Sequence, residues 1–198
     1  MASSSTTRPA TDTATVKVAS KRQPKATSAA AATPSSGAMM RQLFEAVAAK
    51  DIDGLAARWD EDTYDDFVAL NKVVTGTVAL RAFFTEYFAA VEDADFEIQA
   101  IHEHGDTAIG QWRLRGTFSG GPFNGIHPTG KPVDLRGIDV MRFEDGIVRS
   151  NTVYYDGLGF ARQIGLLPAD GSRADRVMLA AFNTVTGTTA AIKRRLPR

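Results

Sequence analysis

The chain has 198 residues, 43% hydrophobic and 23% charged, enough for one ordinary domain with a core. It has no cysteine, which excludes disulfides, thiolate metal sites and cysteine nucleophiles and fits a reducing compartment. The net charge of zero hides a split: residues 1–40 hold five Lys/Arg against one acid and the remainder 18 basic against 22 acidic residues, so an acidic body argues against nucleic acid as a partner, while no apolar run is long enough to span a bilayer.

Residues 1–38 are mostly Ala, Ser, Thr and Pro, and the first large aliphatic or aromatic side chain after them is Leu43. Such a segment cannot bury enough apolar surface to offset its ordering entropy, and it reads as a disordered tail. It is also acid-poor, Ser-rich and dotted with Lys/Arg, the composition of an organelle transit peptide. Lacking the apolar block of a secretory signal, it leaves a cytoplasmic location as the expectation, or an organelle if the tail is a transit peptide. A low-complexity tail or an upstream start site ahead of Met39 accounts for the same composition.

Structure is expected from Met39. Met40, Leu43, Phe44, Val47 and Ala48 recur at helical spacing, and "DIDGLAARW" gives a second short helix with Leu55 and Trp59 one turn apart. Residues 64–70 read as a short strand. After a turn at Thr75-Gly76, the stripe Leu80, Phe83, Phe84, Tyr87, Phe88 and Val91 marks the clearest helix. From Asp95 the period changes to two, giving four long strands at 95–104, 107–119, 131–144 and 147–155. Asp145-Gly146 is a tight hairpin signal. A short helix follows through "GLGFARQIG", and Ala174, Val177, Met178, Ala181, Phe182 and Val185 form a last helical stripe with Ser172 as its cap. The basic end "IKRRLPR" is expected to fray. Helices first and an antiparallel meander after make an α+β fold: a strongly bent sheet with helices across its hollow, enclosing a conical cavity. The divisions are a tail at 1–38, a domain at 39–168 and a C-terminal helix with its tail at 169–198.

Within this frame, alternate residues from Val133 read Val133, Leu135, Gly137, Asp139, Met141, Phe143, an apolar face with one carboxylate. Burying an unpaired carboxylate costs several kcal/mol, of order 2–7 for a polar group and more for a charge. Asp139 therefore either pairs with an arginine on a facing strand or sits in a pocket with its pKa raised from ~3.9 toward the range of a general base. Of Asp65 and Asp66, alternation sends one inward; two solvated acids in a polar loop is the other reading. His102 and His104 share a strand face with Phe96, Ile98 and Ala100, where one of them could serve as a pocket acid/base. A metal site would need more ligands than this pair. Arg113, Arg115 and Arg136 point away from Trp112, to solvent or to a dimer partner. Tyr155 shares the inner face with Val153 and could polarise a substrate carbonyl, or fill space at the rim. "GLGFAR" half-matches a dinucleotide fingerprint, but the third glycine and the parallel βαβ unit are missing.

"GTFSGGPFNGIHPTGKPVDLRGIDVMRFEDGIVR" followed by "YYDGLGFARQIGLLP" resembles the SnoaL-like polyketide cyclases, in the superfamily of ketosteroid isomerase and nuclear transport factor 2. The likeness spans about residues 40–168, carried by the "PTGK" turn, the "FEDG" hairpin and the closing "RQIGLLP". It implies a curved sheet, a deep apolar pocket, a dimer through the sheet's outer face, and an intramolecular aldol closure needing neither metal nor cofactor. It places the family's catalytic aspartate at Val153, which cannot move protons. It places a pocket histidine of the cyclases at Asp139, and the base of ketosteroid isomerases near Asp65. The leading expectation is thus an enzyme that abstracts a proton beside the carbonyl of an apolar polyketide- or terpenoid-like compound, giving cyclisation or isomerisation. Asp139 would be the base, helped by Asp65, Tyr155 or His104, in a pocket lined by Trp59, Phe84, Phe88, Trp112, Met141 and Val153. The alternatives are a non-catalytic binder of an apolar ligand, suggested by Val153, and a protein-binding scaffold using the outer sheet face or the C-terminal helix. An epoxide-opening activity would also need an acid near Val153.

Overall fold

The computed structural model describes residues 34–195, with side chains through residue 188. Most of the tail expected to be disordered lies outside the described residues. Helix α1 spans Ser36–Ala49, so the first described helix starts three residues before Met39. The cause is Ser35, whose side-chain oxygen accepts the Ala38 N–H at 3.3 Å and caps the helix. The short α2, Ile52–Ala56, is capped in the same way by Asp51. Residues 64–70 do not form one strand. Strand β1 covers Tyr64–Phe67, a 3-10 turn takes Val68–Leu70, Asn71 adopts a left-handed conformation, and β2 returns over Lys72–Thr75. Helix α3, Thr77–Ala90, follows.

The four long strands are β3 (Asp95–His104), β4 (Thr107–Phe118), β5 (Lys131–Glu144) and β6 (Ile147–Tyr155), at the expected positions to within one residue. Asp145 and Gly146, both with positive φ, make the hairpin turn between β5 and β6. The six strands form one curved, unclosed sheet in the order β2-β1-β6-β5-β4-β3. The meander is antiparallel, but β1 lies parallel to β6, with Asp65 opposite Asn151. This parallel pairing escaped the sequence reading. It joins the first strand to the last through α3 and the whole meander, a crossover long enough for a parallel neighbour.

The concave face is the core. Met40, Leu43 and Phe44 of α1 are buried against it, and Phe44 meets Phe96 edge-on with ring centroids 5.5 Å apart. Gly110 makes this approach possible, because a β-carbon there would overlap the Phe44 ring. From α3, Phe83 stacks on Phe67 at 4.1 Å. On the convex face, Arg113 forms a bidentate pair with Asp134 at 2.7 and 2.6 Å, and Arg115 meets Asp95 at 2.8 Å and Glu97 at 3.2 Å. Arg113 and Arg115 are thus engaged within the chain, in exposed pairs of small energetic weight.

Helix α4, Gly157–Gln163, is capped by Asp156. Helix α5, Arg173–Arg195, runs through most of the end expected to fray; Ser172 accepts the Asp175 N–H at 3.1 Å at its start. Its apolar stripe is not core: Val177, Met178 and Phe182 are exposed. No helix among the described residues is long and apolar enough to cross a membrane.

Candidate active site

Between the sheet and α1–α3 lies a cavity of about 120 Å³. Its wall is apolar: Phe44, Trp59, Phe84, Leu114, Met141 and Val153 are representative. Into it project Asp65 from β1, Asp139 from β5, Asn151 and Tyr155 from β6, and Tyr87 from α3. Among the described residues, no Lys, Arg or His lines it.

Asp139 points inward, as the alternation on β5 requires, and is 7% exposed. No guanidinium pairs with it. Instead each carboxylate oxygen takes one neutral donor: Trp112 Nε1–H at 2.7 Å to Oδ1, and Asn151 Nδ2–H at 3.0 Å to Oδ2. Burial pushes its pKa up to about 6, against the pull of those two hydrogen bonds. Asp65 is 3% exposed, so the inward member of the Asp65-Asp66 pair is Asp65, and the reading of two solvated acids fails for it. Burial first, and the charge of Asp139 second, push its pKa up to about 8, with a smaller opposing pull from Asn151. Burial also raises Tyr155 to about 12, and raises Tyr87 further, with the charge of Asp139 adding to the shift.

The sheet register builds this arrangement. Asp65 pairs with Asn151, Asp139 with Val153, and Trp112 with Gly137, so the polar groups form a line across β4, β5, β6 and β1. Gly137 is a structural requirement for that line. A β-carbon there would overlap the Trp112 six-membered ring, which lies across the glycine to reach Asp139 and stacks on Phe96 at 5.6 Å. Gly137→Ala is expected to cost about 1–3 kcal/mol of stability, the usual range for overpacking. It should also shift the tryptophan emission as the indole loses its carboxylate partner. Thermal melting and fluorescence spectra check both effects; an unchanged emission spectrum would show that the indole stays in place.

Two expected site residues are elsewhere. His104 is exposed, at the far end of β3, and does not line the cavity. The reason is a bulge: Ile98 pairs with Trp112 and Ala100 with Gln111, leaving Gln99 unpaired. The extra residue reverses the parity of everything beyond it, so Ile101 packs against the core while His102 and His104 are exposed. Phe88 is buried but sits behind the wall, against Phe84 and Tyr87 with centroids 5.8 and 5.4 Å apart. Trp59, Phe84, Trp112, Met141 and Val153 line the cavity, as does Tyr155. The sequence reading missed Asn151 and Tyr87. Asn151 shares strand parity with Val153 and Tyr155, the same signal that singled out Asp139.

The family model for SnoaL-like polyketide cyclases matches residues 38–164. The chain belongs to the SnoaL-like polyketide cyclase family. Solved structures of the same fold include a protein of Jannaschia sp. CCS1 described as a SnoaL-like polyketide cyclase, at 24% identity with a TM-score of 0.59, covering 66% of this chain and 91% of that one. TsrD of Streptomyces laurentii is 26% identical with a TM-score of 0.57, over 65% of this chain and 93% of TsrD. AclR of Streptomyces galilaeus, described as a hydroxylase, is 21% identical with a TM-score of 0.58, over 67% and 97% of the two chains. Comparison with curated proteins finds no match. In this SnoaL-like chain the family match ends near the close of α4, so α5 lies outside it.

Proposed function

We propose that this SnoaL-like protein is an enzyme that moves a proton beside the carbonyl of a compact apolar substrate. The observation that carries the reading is a pair of buried carboxyls on the wall of an apolar cavity, Asp139 held by two neutral donors, with no cation among the described lining residues to neutralise either. At neutral pH, Asp139 is the carboxylate and Asp65 the neutral acid, two roles separated by environment. Asp139 takes the proton from the carbon next to the carbonyl. That C–H bonding pair moves into the new carbon–carbon double bond, and the carbonyl pair moves onto oxygen, where Asp65 donates. A well-placed donor of this kind is worth about 3 kcal/mol. Tyr155 supports a second donor role from the same wall. In an isomerisation, Asp139 returns the proton at another carbon and Asp65 recovers its own. In an aldol closure, the enol carbon attacks a second carbonyl as the first C=O re-forms and returns its proton to Asp65, and the new alkoxide takes the proton from Asp139.

The cavity size bears on the substrate. A pocket of about 150 Å³ takes up benzene, so one of about 120 Å³ suits a compact ring ketone better than a fused multi-ring polyketide. Cyclopentanone, a single-ring ketone close to benzene in size, is a practical probe, with exchange of its hydrogens beside the carbonyl followed in heavy water by NMR. The rate is expected to follow a bell, rising through a pH of about 6 as Asp139 ionises and falling through about 8 as Asp65 loses its proton. A rate that is flat across this range would defeat the assignment of roles.

Val153 supports a second reading, a non-catalytic binder. It is buried, apolar and the register partner of Asp139, at the position where the family resemblance puts the catalytic acid. In that case ligand is recovered unchanged and Asp139→Asn alters affinity without any rate to lose. Exposed Ile109, Ile138 and Tyr154 on the convex face support a homodimer contact there, which sedimentation of an Ile138→Lys variant would test.

A further inference from the structure

The cavity holds a polar atom with no partner. Asn151 Oδ1 is buried and accepts no hydrogen bond, although its sister Nδ2 donates to Asp139. An unsatisfied buried acceptor costs about 1–3 kcal/mol, and native structures seldom leave one. The side chains paired with Asn151 in register are Met141 on β5 and Asp65 on β1. Methionine has no proton to give. Asp65 has one only as the neutral carboxylic acid.

We propose that Asn151 is a positioning residue that decides which carboxyl carries the proton: its N–H holds Asp139 as the carboxylate, and its amide oxygen accepts from the neutral carboxyl of Asp65. The proposal rests on the acid–base reading above and adds the cause of the division of labour. An amide is suited to this role because it presents a donor and an acceptor on opposite sides of one planar group. Its donor end favours the charged form of Asp139 and its acceptor end the protonated form of Asp65; the opposing pull of Asn151 noted above belongs to ionised Asp65, to which the amide would have to offer an N–H instead. The remaining ionisable groups lining the cavity are Tyr87 from α3 and Tyr155 from β6, both neutral at physiological pH. The lining residues of α1 and α2, Leu43, Phe44, Val47 and Leu55, carry no charge, so none of these elements competes for the assignment.

Infrared spectra of the full chain test this without a substrate. At pH 7 ordinary surface carboxyls are ionised, so a neutral-carboxyl stretch reports a buried protonated acid. The wild type is expected to show this band, and Asp65→Asn to lose it. In Asn151→Leu, which fills similar space with neither donor nor acceptor, the midpoint pH at which the band disappears should fall by about 1 or more. Asn151→Ser, with a hydroxyl that both donates and accepts, should bring the midpoint part of the way back; a role in packing alone would move neither. If Asn151→Leu does not fold, the wild type, Asp65→Asn and Asn151→Ser still decide the matter. A missing band in the wild type, a band that survives in Asp65→Asn, or a midpoint that stays in place or rises in the Asn151 variants overturns the proposal. The catalytic reading fails separately: full-rate exchange of cyclopentanone by Asp139→Asn sinks it, even where the band behaves as expected.

Discussion

Replacing Asp139 with asparagine is expected to lower the rate of proton exchange from cyclopentanone by about 10²–10⁴-fold, the usual weight of a general base, while the fold persists. Asparagine has the same shape as aspartate and stays within reach of Trp112 and Asn151, so the cavity keeps its volume. What disappears is the lone pair able to take a proton from carbon. One amide face now points a donor toward Trp112 Nε1–H or Asn151 Nδ2–H, which are themselves donors. With its oxygen on Trp112 Nε1–H and its NH2 toward Asn151, a single flip of the Asn151 amide turns the free Oδ1 to accept and leaves no clash, so melting should show no large loss of stability beside the loss of rate. Exchange kinetics beside a thermal melt check both expectations. A folded variant exchanging at the wild-type rate would remove Asp139 from the chemistry.

The second large effect is a gain. Asp65→Asn is expected to raise stability at pH 8 and leave it little changed near pH 4. Folding raises the pKa of Asp65 from 3.8 to about 8. Between those values the unfolded chain has released its proton while the folded chain keeps it, so stability falls as pH rises through this window and levels off above the folded pKa. Asp139 adds the same trend between 3.8 and about 6. Every pH unit separating the folded from the unfolded pKa corresponds to about 1.36 kcal/mol, which makes the combined burden several kcal/mol at alkaline pH. Asparagine cannot ionise and escapes the part due to Asp65. For a domain of this size, about 2–4 °C of Tm accompanies each kcal/mol, so the variant should melt at least about 5 °C above the wild type at pH 8. Melting curves at several pH values provide the check, and parallel curves for the two proteins would refute it. The same variant should lose the acid that serves the oxyanion, so stability and rate are expected to move in opposite directions.

The pattern of strand alternation explains what the sequence made legible. Strands β3, β5 and β6 are long, and the apolar residues of β5 keep a strict period, so the strand limits and the inward direction of Asp139 could be read locally. Three features could not. The bulge at Gln99 follows no composition signal, yet by shifting parity it moved His104 out of reach of the site. The parallel union of β1 and β6 depends on chain segments far apart in sequence, so nothing near Asp65 announced that Asn151 would face it. Strand β2 is only four residues long, although Val73, Val74 and Thr75 after the left-handed Asn71 were a usable hint. The hydrogen bond from Trp112 likewise depends on Gly137 across the sheet, a pairing fixed by register rather than by local pattern.

The seam between β1 and β6 carries a consequence for how reactivity is born. Asp65 enters near the beginning of the folded segment and Asn151 near its end, so their meeting is among the most non-local in the chain. Until that seam closes, Asp65 has no Asn151 opposite it, and the line of polar groups across the sheet is incomplete. Competence therefore belongs to the closed sheet, and a molecule in which β1 has come away from β6 lacks the paired acid and base.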